Sequence, residues 1–186
     1  MKRYLILVFV AIFSGVVTTA QEALKAGDKA PAFTAMTDEG KPWKSSDFIG
    51  KKNIVLYFYP AAMTGGCTKQ ACSYRDHQAE LTAADAVVVG ISGDEVSGLK
   101  FFKEANQLNF TLLSDSDGKI ATLFGVPVTE GGTIKRTVHD REVELTRGVT
   151  AKRWTFIIGK DGKIRYVNQQ VDAENDYQAV LDVLKG

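Results

Sequence analysis

The chain has 186 residues, a formal net charge of +1 and 45% apolar side chains. That length and composition suit one domain with a sizeable core and argue against a disordered or fibrous chain. With no long block of like charge, nothing in the composition calls for nucleic acid as a partner.

The first stretch, MKRYLILVFVAIFSGVVTTAQ, stands apart. Lys2 and Arg3 lead an apolar run from Tyr4 to Val17, and Thr18, Thr19 and Ala20 supply small residues for cleavage. It reads as a secretory signal over residues 1–20, cut after Ala20. The competing reading is an uncleaved anchor, for which the run is short. No cysteine follows the run to carry a lipid. Residues 21–186 are then a single domain in an extracytoplasmic compartment where disulfides persist. No stable membrane association is expected after cleavage.

QEALKAGDKA is a polar, extended lead-in. PAFTAMTDEGKPWKSSDF reads as two short strands around a turn at Asp38-Glu39-Gly40. NIVLYFY is a continuous β-branched and aromatic run, which suits a central strand buried on both faces. Helical spacing from Thr64 to Ala83 places Cys67, Ala71, Tyr74 and Leu81 along one helix. AVVVGIS is a second buried strand. Ser97 is then the expected cap of a helix facing inward with Leu99, Phe102 and Ala105. FTLLSD is a short strand, and Ile120, Leu123 and Phe124 mark a short helix ended by Gly125. RWTFIIG and KIRYVNQQ flank Lys160-Asp161-Gly162, a hairpin signal. A last helix from Ala173 carries Tyr177, Val180, Leu181 and Leu184 on one face.

This alternation predicts an α/β fold, a mixed central sheet flanked by helices. Strands joined by crossover helices should be parallel, and the hairpin should add an antiparallel edge. The stretch from Val126 to Lys152 is long and weakly periodic, and reads as an elaborated loop or an extra hairpin. Its Arg136, Arg141 and Arg147 read as solvated, balanced by Glu142 and Glu144. His77 reads as a helix-surface residue. Asn109-Phe110-Thr111 matches a glycosylation sequon, a pattern that arises often by chance.

The two cysteines, Cys67 and Cys72, are too few for a disulfide scaffold, and a core of this size needs no staple. Cys67 follows Gly65-Gly66 and opens the predicted helix, where unpaired N–H groups and the dipole favour thiolate over thiol. Five residues along a helix turn the chain by about 140° and raise it by about 7.5 Å. A disulfide wants Cα atoms about 4.4–6.8 Å apart. A bond between the two would therefore need the helix to unwind, which suits a transient bond better than a staple. Three other readings stand beside a reactive thiol. A thioredoxin-type oxidoreductase normally has Cys-x2-Cys and a proline before the facing strand, and both are missing here. A metal site is disfavoured because Cys67, Cys72 and His77 rotate around the helix rather than converge. Two inert buried thiols would leave the glycine pair unexplained.

The segment YFYPAAMTGGCTKQAC resembles the active-site segment of peroxiredoxins, thiol-dependent peroxidases of thioredoxin-like fold. Pro60, Thr64 and Cys67 meet the family pattern Pro-x-x-x-Thr-x-x-Cys. Cys72 looks like the second cysteine of the Q-type, or bacterioferritin comigratory protein, branch. Arg153 in RWTFII matches an arginine of the family, and AGDKAPAFT, VVVGIS and LLSD follow in the family's order. The chain departs at Gly65, where many relatives have proline, and at Gln70, where glutamate often stands.

The resemblance implies that Cys67 attacks a hydroperoxide and that Cys72 resolves the product through an intramolecular disulfide. Thr64 and Arg153 would assist the attack. Pro60, Gly66, Tyr59 and Gln70 would line the substrate pocket. It implies no metal and no cofactor, a monomer, and a thioredoxin-like or small-thiol reductant. The alternative function is an extracytoplasmic thiol-disulfide oxidoreductase of thioredoxin type.

Overall fold

The computed structural model describes residues 22–138 and 141–186. The signal expected at residues 1–20 lies outside them. Nine strands and five α-helices are found among the described residues.

Strands β1 (Thr34–Thr37) and β2 (Pro42–Lys44) form the first hairpin. Strand β3 (Asn53–Phe58) leads to helices α1 (Gly65–Asp76) and α2 (Gln78–Ala83), then to β4 (Ala86–Ser92). Helix α3 (Val96–Asn106), β5 (Thr111–Ser114) and α4 (Lys119–Leu123) follow. A hairpin of β6 (Val128–Val138) and β7 (Arg141–Ala151) precedes β8 (Trp154–Ile158), β9 (Ile164–Asn168) and α5 (Asp176–Lys185).

Seven strands make one sheet in the order β2-β1-β5-β4-β3-β8-β9. The crossover helices make β3, β4 and β5 parallel, as the alternating pattern required. Strand β8 runs antiparallel to β3, and the turn at Lys160-Asp161-Gly162 brings β9 back along β8. Gly162 takes φ +76°, which the turn needs and a side chain would resist. The result is the expected mixed sheet of thioredoxin-like fold.

Every residue of β3 is buried, and alternate side chains serve two cores. Ile54, Leu56 and Phe58 join Phe33, Ile120, Phe124 and Phe156 on one face. Val55, Tyr57 and Tyr59 join Tyr74, Leu99, Phe102 and Val180 on the other, under the helices. Each such side chain contributes about 1.5–3 kcal/mol, against about 0–1 kcal/mol for an exposed ion pair. Strand β3 is thus the axis of the sheet, and the segment that follows it starts from a rigid base.

Several details differ from expectation. The helix predicted from Thr64 to Ala83 breaks at His77, which leaves helical geometry at φ −106° and ψ 16°. Its ring is half-buried and stacks on Tyr177 with centroids 3.6 Å apart, so it is not a free surface residue. Glu95, not Ser97, is the N-cap of α3. The long weakly periodic stretch is the β6–β7 hairpin, the second of its two expected forms, and most of β6 is exposed, so no inside-outside alternation marks it. Within it Arg147 is half-buried with Nε on Thr150 Oγ1 at 3.0 Å, and Arg136 donates to Met63 O at 3.2 Å. Neither is merely solvated. Glu142 pairs with Lys135 rather than with these arginines.

Gly90 lies beside Tyr57 in the β3–β4 ladder, and a Cβ there would sit 2.6 Å from the Tyr57 hydroxyl. Tyr57 is wholly buried and has no room to yield. Gly90→Ala should therefore lower stability by about 1–3 kcal/mol, read from the urea midpoint. Gly132→Ala, with open space around it, should leave the midpoint nearly unchanged.

Candidate active site

The site forms where β3 ends. Tyr59 still pairs with the sheet, its N–H on Ile91 O at 3.0 Å, and Pro60 then turns the chain out. Residues 61–64 form a short loop, with Met63 in the left-handed region at φ +59°. Thr64 is the extended N-cap of α1. Its hydroxyl donates to Ala61 O at 2.8 Å and closes the loop on itself.

Cys67 lies in the first turn of α1 and is 1% exposed. Its Sγ is 3.2 Å from Arg153 Nη2. Arg153 stands just before β8, and the register that pairs Phe58 with Trp154 brings it beside the start of the loop. Its other nitrogen, Nη1, donates to Gln70 Oε1 at 2.5 Å. The guanidinium thus spans one turn of α1, from Cys67 to Gln70. Gly66 makes that approach possible: a Cβ there would stand 3.3 Å from Arg153 Nη2. Gly65 faces open space, so the departure from proline costs no packing.

A cation at this distance and the N-terminal dipole of α1 both face the sulfur and suit negative charge developing there. The same donors suit an anionic oxygen forming next to the sulfur. Burial pushes the Tyr59 hydroxyl well above its usual range, so it stays neutral beneath the site. Tyr59 and Gln70 are wholly buried. They form the floor rather than an open wall, because Gln70 spends both ends of its amide on protein partners: Arg153, and Asp176 Oδ2 at 2.8 Å. Pro60 is half-buried at the rim.

Cys72 is half-buried on a different side of α1. It lies in a groove of about 390 Å³ shared with Lys69, Ser73, Glu174 and Tyr177. Both cysteines are free thiols, and α1 is continuous between them. Among the described residues, no group of three or more His, Cys, Asp or Glu gathers to hold a metal.

Two acids were not singled out from the sequence. Asp94 follows β4 and is 1% exposed. Its Oδ2 accepts the Ala62 N–H at 2.8 Å and the Ser92 hydroxyl at 2.7 Å, so it pins the loop before Thr64. Asp176 holds Gln70. The only sequence signal for either was a charge where a packed surface was due: after AVVVGIS, and in the first turn of an apolar-faced helix.

The profile of the AhpC/TSA family matches residues 26–167. The chain belongs to this family. It is 40% identical over 164 residues to peroxiredoxin Bcp of Escherichia coli, across 87% of this chain and 96% of that one. Among solved structures, peroxidoxin BcpB of Mycobacterium tuberculosis superposes with a TM-score of 0.73 at 34% identity, covering 87% of this chain and 97% of that one. PrxQ of Xylella fastidiosa superposes at 0.74 with 25% identity, over 89% and 98%. This family member is thus an enzyme of the peroxiredoxin kind, and its chain spans nearly the full length of these relatives.

Two predictions come from the geometry. Arg153→Lys replaces a planar fork by a point charge and cannot serve Sγ and Gln70 together. It should slow the reaction of Cys67 with hydrogen peroxide by about a hundredfold, measured by stopped flow. The second concerns pH. Burial pushes the Asp94 carboxyl up. A raised folded value means that charging Asp94 costs native stability. The cost is absent below the unfolded value near about 3.9 and fully present above the folded value. Asp94→Asn keeps an acceptor for Ala62, so its stability relative to the unmodified protein should rise with pH across that window and then level off. Denaturation midpoints that run parallel at all pH would remove Asp94 as the source.

Proposed function

We propose that this protein is a two-cysteine thiol peroxidase that reduces hydrogen peroxide and organic hydroperoxides. The observation that carries this is Arg153 Nη2 at 3.2 Å from the buried Sγ of Cys67, at the N-terminus of α1. The Cys67 thiolate attacks the terminal oxygen of the hydroperoxide, and the O–O bond breaks. Cys67 becomes a sulfenic acid, and the leaving alkoxide or hydroxide takes a proton to give alcohol or water. Backbone N–H groups at Gly66 and Cys67, with Arg153, stabilise the charge moving onto the leaving oxygen. The Thr64 hydroxyl exchanges Ala61 O for the peroxide, and Pro60 shields the rim from water.

The second half-reaction needs α1 to open. About 7.5 Å of helical rise and 140° of rotation separate two residues five apart. The first turns must unwind before the Cys72 thiol can displace water from the sulfenic acid and form the Cys67–Cys72 disulfide. A dithiol or small-thiol reductant then restores both thiols by exchange. The basic, then apolar, then small-residue N-terminus supports an extracytoplasmic site of action. There the reductant would be a membrane-fed thioredoxin-like protein or a small thiol. In this reading each chain completes the cycle with its own two sulfurs and acts as a monomer.

One experiment tests the chemistry. Thiols are counted on the reduced protein before and after about one equivalent of hydrogen peroxide, the stoichiometry of a single sulfenic acid, with stopped-flow timing. Fast loss of both thiols in a monomeric species is expected. Cys67→Ser should lose all turnover. Cys72→Ser should still consume one equivalent and form no internal bond. Thiol loss at the rate of an ordinary cysteine, together with insulin reduction, would point to disulfide exchange instead.

A further inference from the structure

Asp176 is a buried acid that the peroxide chemistry does not itself use. It opens α5, is 2% exposed and makes no salt bridge among the described residues. One oxygen, Oδ2, accepts three hydrogen bonds: from Gln70 Nε2 at 2.8 Å, the Tyr74 hydroxyl at 2.7 Å and the Thr155 hydroxyl at 2.7 Å. The other, Oδ1, is buried with no hydrogen-bond partner among the described residues. The three donors come from α1 and β8, the two elements that meet at Cys67. One carboxylate oxygen therefore ties both to the first turn of α5.

Gln70 transmits this constraint. A guanidinium carries only donors, so Arg153 can bond Gln70 through Oε1 alone. A carboxylate carries only acceptors, so Asp176 takes the amide nitrogen. The two partners together decide which way the amide faces. Without an acceptor at Asp176, the amide is free to turn its nitrogen toward Arg153, and two donors would then oppose each other. Arg153 would lose the brace that aims its second nitrogen at Sγ.

Packing alone does not account for the acid. A buried charge pays for desolvation, and an apolar side chain of similar volume often serves stability as well or better. Burial raises the Asp176 carboxyl, and the three donors and the Arg153 charge draw it back. The groups facing it are Tyr74 on α1, Thr155 on β8, Tyr57 on β3 and Tyr166 on β9, with Arg153 beyond Gln70.

We propose that Asp176 is a positioning residue for Cys67: through Gln70 it holds the Arg153 guanidinium against the sulfur. The inference rests on Cys67 being the thiol that reacts with peroxide. The test uses the full mature protein and two readouts: the second-order rate of Cys67 oxidation by hydrogen peroxide, and the pH midpoint of Cys67 alkylation. Asp176→Ala should slow oxidation about tenfold at neutral pH and move the alkylation midpoint upward. Asp176→Asn, which keeps an oxygen to accept the Gln70 amide N–H, should keep most of the rate. In an Arg153→Lys background, Asp176→Ala should add little, because both changes cut one chain of contacts. A folded Asp176→Ala protein with unchanged rate and midpoint overturns the proposal, and so does a loss that simply adds to that of Arg153→Lys. If Asp176→Ala does not fold, Gln70→Met decides: it keeps the volume and cuts the link, and an unchanged rate overturns the proposal. Failure of the underlying reading looks different, because the unsubstituted protein would then react no faster than a free thiol.

Discussion

Everything at the site depends on a guanidinium reaching a sulfur across two elements. Arg153 belongs to the approach to β8, and Cys67 to the first turn of α1. The two are 86 residues apart in the chain. They meet because β8 lies antiparallel beside β3, with Phe58 opposite Trp154. The chain leaves β3 where the other strand enters the sheet. A slip of one residue in that register would turn Arg153 to the opposite face. The register is in turn held by the fully buried side chains of β3, so the geometry at the sulfur inherits the stability of the core.

Helix α1 faces two demands. In the proposed cycle it holds Cys67 under Arg153 before oxidation and opens afterwards far enough to bring Cys72 round. Its contacts suit both. The side chains it buries are Cys67, Gln70, Ala71 and Tyr74, a small apolar anchor for a helix of 12 residues. Much of the rest is polar contact with the start of α5: Lys69 with Glu174, Ser73 Oγ with Glu174 O, and Gln70 and Tyr74 with Asp176. The two to Glu174 are exposed and worth about 1 kcal/mol or less each, while the two to Asp176 are buried and hold the turn from Gln70 to Tyr74 more firmly. They give direction without the depth of a packed leucine face, and a segment held that way can open while the sheet stays closed.

The loop from Pro60 to Thr64 is held from several sides. Asp94 takes the Ala62 N–H, Arg136 of the β6–β7 hairpin reaches Met63 O, and Thr64 bonds back to Ala61. The same hairpin joins the end of β4 through Glu95 N–H to Thr146 O and Gly148 N–H to Gly93 O. An arm that looks peripheral in sequence therefore braces the loop that shapes the site.

Local patterns carried much of this without coordinates. NIVLYFY and AVVVGIS are buried strands because continuous β-branched and aromatic runs have few other uses. Lys160-Asp161-Gly162 is a turn because glycine tolerates its positive φ. A cysteine after two glycines at a helix start is a chemical signal in itself, and with Pro60, Thr64 and Arg153 it matched the family whose profile covers residues 26–167. Tertiary structure decided the rest. A helix that the sequence would continue is interrupted at His77, whose ring packs on Tyr177 of the remote last helix. The β6–β7 hairpin had no readable period, because little of β6 is buried. Asp94 and Asp176 are ordinary acids in sequence. They gain their place only when distant strands and helices close around them, since a carboxylate's role is set by the donors that surround it, and those donors are remote in the chain.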